Sequence, residues 1–345
     1  MTYLDDLDFE RPAELQASLP PELRGEHRGD VRLLLSGPDG HQHAHFSKLP
    51  LFLMKDDLLV VNDSATLPAS LRATGAHGDF TLNLSTHYGQ NLWLAEPRIS
   101  PATPGPLPVQ AGESFRAAGL TAAFITPHPK LPRLWFVQFG GDVMEHLSEH
   151  GQPIRYGYVP ERYGLDVYQT VFGTAPGSAE MASAARPFTR ELVAELKASG
   201  VQFAAITLHT GVSSLEIKSD TLDDHNLYAE PFEVSAKTTE QINRAKAEGR
   251  RVIAIGTTVV RALASSWNGN RLKPARGFTS KFIRPGAGAG VPLDGLLTGF
   301  HDPKASHLAM LYAVAGKEPV RAGYEEAVAG GYLWHEFGDS HLLLV

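Results

Sequence analysis

Cysteine is absent from the 345 residues. That gap excludes a disulfide framework, thiolate metal sites and a cysteine nucleophile, and it fits a reducing compartment. No apolar run approaches the roughly 20 residues that a membrane-spanning helix needs. The opening MTYLDDLDFERPAEL is acidic where a secretory leader is basic and then apolar. The expectation is a soluble, cytoplasmic protein with no membrane partner. Positive charge is also in deficit: Lys and Arg number 31 against 38 Asp and Glu, a formal net charge of -7. Broad, nonspecific nucleic-acid binding needs clustered cations, so this balance argues against it. One local exception is NRLKPARGFTSKFIRPG (270–286), where Arg271, Lys273, Arg276, Lys281 and Arg284 occur with no acid among them. Such a run is either a phosphate-contacting loop or a solvated face.

What is present is an ordinary globular composition, 43% apolar, with 33 glycines and 24 prolines scattered as punctuation. The length suits one large domain with an insertion, or two domains. DDLLVVND (56–63) reads as a first buried strand ending in turn formers. From about 70 to 150 the texture is short and alternating: DFTLNLSTH, NLWLAEPRI and RLWFVQFGG each show period two between Pro- and Gly-rich pieces. That pattern predicts a small antiparallel barrel or sandwich. After Tyr168 strands alternate with helices. FTRELVAELKASG (188–200), TTEQINRAKAEG and the helix after IGTT are helical, while VQFAAITLHTG and RRVIAIGTT are strands. Strand-helix-strand units predict parallel pairing in a mixed sheet. The expected fold class is therefore α/β, a mixed-sheet main domain (1–68 and 151–345) carrying the active site, interrupted by a small all-β, barrel-like insertion (69–150).

Ligands of such sheets gather where strands end. Three strand ends are unusually polar: TLHTG (207–211), IGTT (255–258) and LLTGFHDPKAS (296–306). Thr257 and Thr258 would offer hydroxyls and amides at a helix N-terminus to an anion, although threonine is also a common cap. With the helix read from near Val259, Arg261 falls in its first turn, against the dipole, and a specific anionic partner is expected for it.

The pieces DLLVVNDSATLPASL (57–71), YQTVFGTAPGS (168–178), ITLHTG (206–211), DTLDDHNLYAEPFEV (220–234), VIAIGTTVVRAL (252–263), TGFHDPKASHLAML (298–311) and FGDSHLLL (337–344) follow in this order. Together with LDFERPAEL (7–15) they resemble the motifs of the S-adenosylmethionine:tRNA ribosyltransferase-isomerase family of queuosine synthesis over nearly the whole chain. The resemblance implies S-adenosylmethionine as a substrate that gives up its ribosyl group, not its methyl. In the family that group reaches the aminomethyl arm of a 7-deazaguanine in a tRNA anticodon and rearranges to an epoxycyclopentanediol, while adenine and methionine leave.

Such chemistry needs a base beside the C5′ hydrogens that the sulfonium acidifies, a proton donor for the departing adenine, and donors for the methionine carboxylate. By the resemblance, the catalytic candidates are His301, His209, Asp224 and Glu230, with His225 beside them. Binding of the nucleoside is expected from Thr257, Thr258, Arg261, Tyr168, Gln169, Thr170, Asn62 and Gly256. Structural alternatives stand beside several of these: backbone-satisfied loop histidines for His301 and His209, a turn former for Asp224, and a domain junction for Tyr168 and Gln169.

Departures from the family pattern are equally specific. Pro187 stands for a histidine and Ala185 for a glycine in ASAARPF (182–188). Tyr228 replaces a histidine, Ala65 and Ser70 replace two arginines, Ala264 a glutamate and Gly299 an asparagine. These changes lead to the expectation of a changed acceptor, a small molecule or none, with genuine tRNA modification and a non-catalytic binding protein as alternatives. HQHAH places His41, His43 and His45 on one face of a strand without a nearby carboxylate, and no metal is expected.

Overall fold

The computed structural model describes residues 7–100, 107–155, 157–212, 227–286 and 290–345. Its main body is a nine-stranded mixed sheet. In chain order the strands are β1 (Arg32–Gly37), β2 (Gly40–His45), β3 (Leu58–Asn62), β4 (Gln202–Leu208), β5 (Glu230–Val234), β6 (Val252–Ile255), β7 (Ala275–Thr279), β8 (Gly295–Gly299) and β9 (Ser340–Leu344). They lie side by side as β7-β5-β4-β3-β6-β8-β9-β1-β2. β3 runs parallel to both β4 and β6, and β6 parallel to β8. β9 runs parallel to β1 but antiparallel to β8.

Sequence explains the centre of this sheet directly. All of β3 is buried, because Leu58 and Val60 face one apolar cluster while Leu59 and Val61 face another. Period two with apolar residues on both faces is what a strand covered on each side requires. The helices that cover it are α1 (Arg190–Ala198), α2 (Ala236–Ala247), α3 (Thr257–Ser266), α4 (Ser306–Ala315) and α5 (Lys317–Ala329). Thr189 and Ser235 cap α1 and α2 through their hydroxyls, which accept from the amides of Leu192 and Thr238.

Between β3 and β4 the chain builds a separate antiparallel sheet from Ser70–Gly75, Gly78–His87, Leu92–Arg98, Ser114–Ala117, Leu120–His128 and Leu131–Phe139. Its first strand also pairs with Ser114–Ala117, which closes six strands into a barrel. The two-residue strand Gly151–Gln152 adds to Ser70–Leu71 on the way out. Phe80, Phe115, Phe124 and Phe139 fill the interior. The expected α/β fold with an inserted barrel is thus the fold observed. At the neck, Ser64–Thr66 pairs in parallel with Ala175–Ser178, and the Gln169 amide brackets the Thr66 backbone by accepting from its N–H and donating to its C=O.

One buried histidine sits in this sheet. His341 on β9 is 0% exposed, with Nε2 2.7 Å from Ser36 Oγ and its ring stacked on Phe300 at 5.3 Å. Burial, with His41 nearby, pushes its pKa from 6.5 down to about 3. The unfolded chain therefore takes up a proton below pH 6.5 that the native state refuses, so stability is intact at neutral pH and lost as pH falls towards 3. The slope approaches about 1.4 kcal/mol per pH unit. The urea midpoint should fall between pH 7 and pH 5, and His341→Met should shrink that fall; an equal fall in both proteins would refute the assignment.

Candidate active site

The strand β6 turns into α3 at a single residue. Gly256 has φ 94° and ψ 155°, a region that side-chain-bearing residues avoid, and an added Cβ would stand 3.3 Å from the Ala184 methyl. Because this glycine takes the cap position, α3 begins at Thr257, two residues earlier than the sequence suggested. Arg261 consequently lies beyond the first turn, and neither threonine caps the helix with its side chain. The amides of Thr257 and Thr258 precede the first possible intrahelical bond and remain available as donors.

These residues line a cavity of about 320 Å³ at the ends of β6 and β8. Two other helical starts share it: the short turn Ser183–Ala185, and α4 through Ala305 and His307. Several N-termini around one space favour an anionic group there. His301 projects into the same cavity, with Nε2 3.0 Å from Thr298 Oγ1 and its ring stacked on His307 at 4.5 Å and 6°. Its backbone is fixed by the Tyr324 hydroxyl, which accepts from its N–H, and by the Trp334 indole, which donates to its C=O. Burial, then the nearby histidines His307, His335 and His341, hold its pKa well below the ordinary 6.5. The imidazole is neutral at pH 7 and able to accept a proton.

The same cavity holds two carboxyl groups that were not among the catalytic candidates, one of them, Asp302, within the polar strand end read from the sequence. Asp302 contacts His335 Nε2 at 2.9 Å and Arg11 Nε at 3.1 Å. Its burial raises the pKa, but the hydrogen bond and charge of His335 and the charge of Arg11 outweigh that, and it stays ionised. Glu336 also lines the cavity, hydrogen-bonded to Tyr158. Burial pushes its pKa upward despite His335 and Arg186, and its Oε2 is occluded with no partner among the described residues. In the sequence His335 and Glu336 immediately precede the quoted motif FGDSHLLL (337–344), and nothing local to them reports their burial.

Other candidates are placed elsewhere. Arg261 forms a buried ion pair with Glu230, and also donates to the carbonyls of Thr279 and Lys281. Neither Arg261 nor Glu230 lines the cavity. His209 is bound through Nδ1 to Ser64 Oγ at 2.7 Å, and burial lowers its pKa. Asn62 joins strands: its Oδ1 accepts from the amides of Ser64 and Leu208, and its Nδ2 donates to Leu208 O and Thr258 Oγ1. Tyr168 is buried against Phe337, Gln169 holds the neck, and Thr170 Oγ1 is buried with no hydrogen-bond partner among the described residues. Asp224 and His225 lie outside the described residues. His41, His43 and His45 bind Ser36, Tyr332 with Glu326, and the Asp30 carbonyl respectively, and no cluster of three metal-ligating residues occurs among the described residues. A second cavity, about 380 Å³ between Phe9 and the helices α4 and α5, contains no histidine.

The family model described as "Queuosine biosynthesis protein" matches residues 4–343. The chain belongs to this family. The S-adenosylmethionine:tRNA ribosyltransferase-isomerase of Carboxydothermus hydrogenoformans is 35% identical over 99% of each chain. That of Thermus thermophilus is 35% identical over 94% of this chain and 97% of its own. The crystal structure of the Thermotoga maritima S-adenosylmethionine tRNA ribosyltransferase covers 98% of this chain with TM-score 0.55 and 26% identity. These queuosine-family relatives are named for tRNA as acceptor, and they give no support to the small-molecule acceptor or elimination expected from the altered motifs.

Among the departures from the family pattern, Tyr228 makes internal contacts through its side chain and Ala264 only through its backbone. Tyr228 donates to the Val212 carbonyl at 2.9 Å, tying the approach to β5 against the barrel strand that carries Ser85. The Ala264 carbonyl accepts from Lys281 Nζ. For the Arg261–Glu230 pair, 8% and 5% exposed, removal of one partner strands a buried charge. Arg261→Ala should cost about 3 to 5 kcal/mol by denaturant unfolding, and Arg261→Met with Glu230→Leu should recover most of that loss. A single variant as stable as wild type would show the pair to be energetically idle.

Proposed function

We propose that the protein is a cytoplasmic S-adenosylmethionine:tRNA ribosyltransferase-isomerase that transfers the ribosyl part of the sulfonium nucleoside to an aminomethyl-deazaguanine in tRNA. The observation that carries the reading is the single cavity in which a neutral histidine, His301, faces the open amides of α3. In this reading the Thr257 and Thr258 amides take the methionine carboxylate, and Gly256 keeps the backbone close to it. His301, neutral at pH 7 and placed in the cavity, removes the C5′ proton acidified by the sulfonium. Asn62, Gln169, Tyr168 and Thr170 hold the strand ends and neck around the cavity, while His209, Glu230 and Arg261 support them from outside it. The division into a nucleoside-holding part (1–68 and 151–345) and an insertion (69–150) belongs to the same reading.

An RNA acceptor is favoured over a small molecule by one surface. Phe278 on the edge strand β7 is 49% exposed and stacks on Tyr88 of the barrel at 5.2 Å and 17°. Tyr88 contacts Phe136, which stacks with His128 at 6.0 Å. Arg276, two residues from Phe278, is 84% exposed. A row of rings beside a cation suits unstacked nucleobases and their phosphates.

The test is adenine and methionine release from S-adenosylmethionine, with and without tRNA bearing the aminomethyl-deazaguanine. Release should require that tRNA, and His301→Ala should lower kcat by more than about tenfold, ~1.4 kcal/mol of transition-state stabilisation. Phe278→Ala should raise the KM for tRNA and leave S-adenosylmethionine binding unchanged. Equal release without tRNA would sink this reading in favour of elimination.

A further inference from the structure

We propose that Glu336 grips the purine of the bound sulfonium nucleoside and gives it a proton as it departs. The inference rests on the ribosyl-transfer reading above and adds a residue and a role to it. Four observations carry it.

Glu336 lines the cavity with His301 and the start of α3. Its Oε2 is occluded and unpartnered, although every polar group so placed loses free energy until something binds it. Next to it, Tyr158 and His335 stack at 5.1 Å and 25°, forming a flat wall of the kind a base lies against. Finally, Asp302 in the same cavity is already engaged by His335 and Arg11, whereas the Glu336 Oε2 is left for a ligand.

The groups facing Glu336 decide its protonation. Tyr158, Tyr168, His335 and Arg186 surround it, with Asp302 beside Tyr158; His335, the Tyr158 hydrogen bond and Arg186 favour the anion, and Arg186 is itself paired with Glu22. Burial outweighs them and holds the carboxyl towards its neutral form. A neutral carboxyl presents a donor and an acceptor side by side. A purine presents the complement at N7 and its exocyclic amine, so O–H donates to N7 and C=O accepts from the amine. In the step itself, the Glu336 proton passes to N7 as the bond between the ribosyl C1′ and N9 breaks. The bond's electron pair leaves with the ring, the ribosyl ring oxygen shares the positive charge left at C1′ until the acceptor amine adds, neutral adenine departs, and the carboxylate that remains is reprotonated by water admitted as products leave.

Glu336→Gln retains a donor and an acceptor but has no proton to give. It should keep the KM for S-adenosylmethionine within about threefold and lower kcat by about a hundredfold. The wild-type kcat should decline on the alkaline side as Glu336 ionises, and that limb should vanish in the variant. The 7-deaza analogue of S-adenosylmethionine, with carbon in place of N7, needs no variant: wild type should lose most of its rate on it, and Glu336→Gln should lose nothing further. A variant with wild-type kcat and pH profile overturns the inference, as does a 7-deaza penalty equal in both proteins. Wild type that releases no adenine overturns the ribosyl-transfer reading instead, and this inference falls with it.

Discussion

The amide of Asn62 is the contact on which the arrangement depends. It closes the central strand β3, meets both backbone groups of Leu208 at the end of β4, and reaches Thr258 at the start of α3. One residue later the chain leaves for the barrel. A buried amide that satisfies four directions at once fixes angles as well as distances, because each bond weakens steeply off line. The open amides of α3, the neck and the ends of two parallel strands therefore share one reference point. No carboxylate or hydroxyl could serve in its place, since both donors and acceptors are used.

Charge in this protein is mostly spent on holding elements together. Arg261 with Glu230, Arg186 with Glu22, and Arg251 with Asp57 join segments distant in sequence. The cavity holds groups of another kind beside the ionised Asp302: the neutral imidazole of His301, the buried carboxyl of Glu336 and the backbone amides of α3. Low dielectric strengthens pre-placed donors of this kind, while pairing within the fold occupies the arginines named above.

The fold was readable because periodicity survives without tertiary knowledge. The doubly apolar β3 and the alternating barrel strands announced their class, and the polar strand ends located the cavity at His301 and Thr257. The start of α3 was misplaced because Gly256 acts through a backbone angle, which residue type only hints at. Glu230 was a candidate through the family resemblance and Arg261 through its place near the start of a helix, where an anionic partner was expected; that Glu230 is that partner is a fact of three-dimensional proximity. Glu336 escaped for a related reason. Its environment is assembled from Tyr158, His335 and Arg186, and no local pattern of residues reports how dry a carboxyl will be. Replacements such as Tyr228 suggested an altered acceptor, whereas in the structure that side chain secures the barrel against the strand beside it.

The strand β9 lies inside the sheet, between β8 and β1, although it is the last of the nine in chain order. The hairpin β1–β2 reaches the rest of the sheet only through it. During synthesis, then, this hairpin leaves the ribosome first of the nine strands and waits for the six between β2 and β9 to be made before its neighbour exists. Until residues 340–344 emerge, Leu33 to Leu35 present an uncovered hydrogen-bonding edge, so this is the portion of the nascent chain for which a chaperone has most to do.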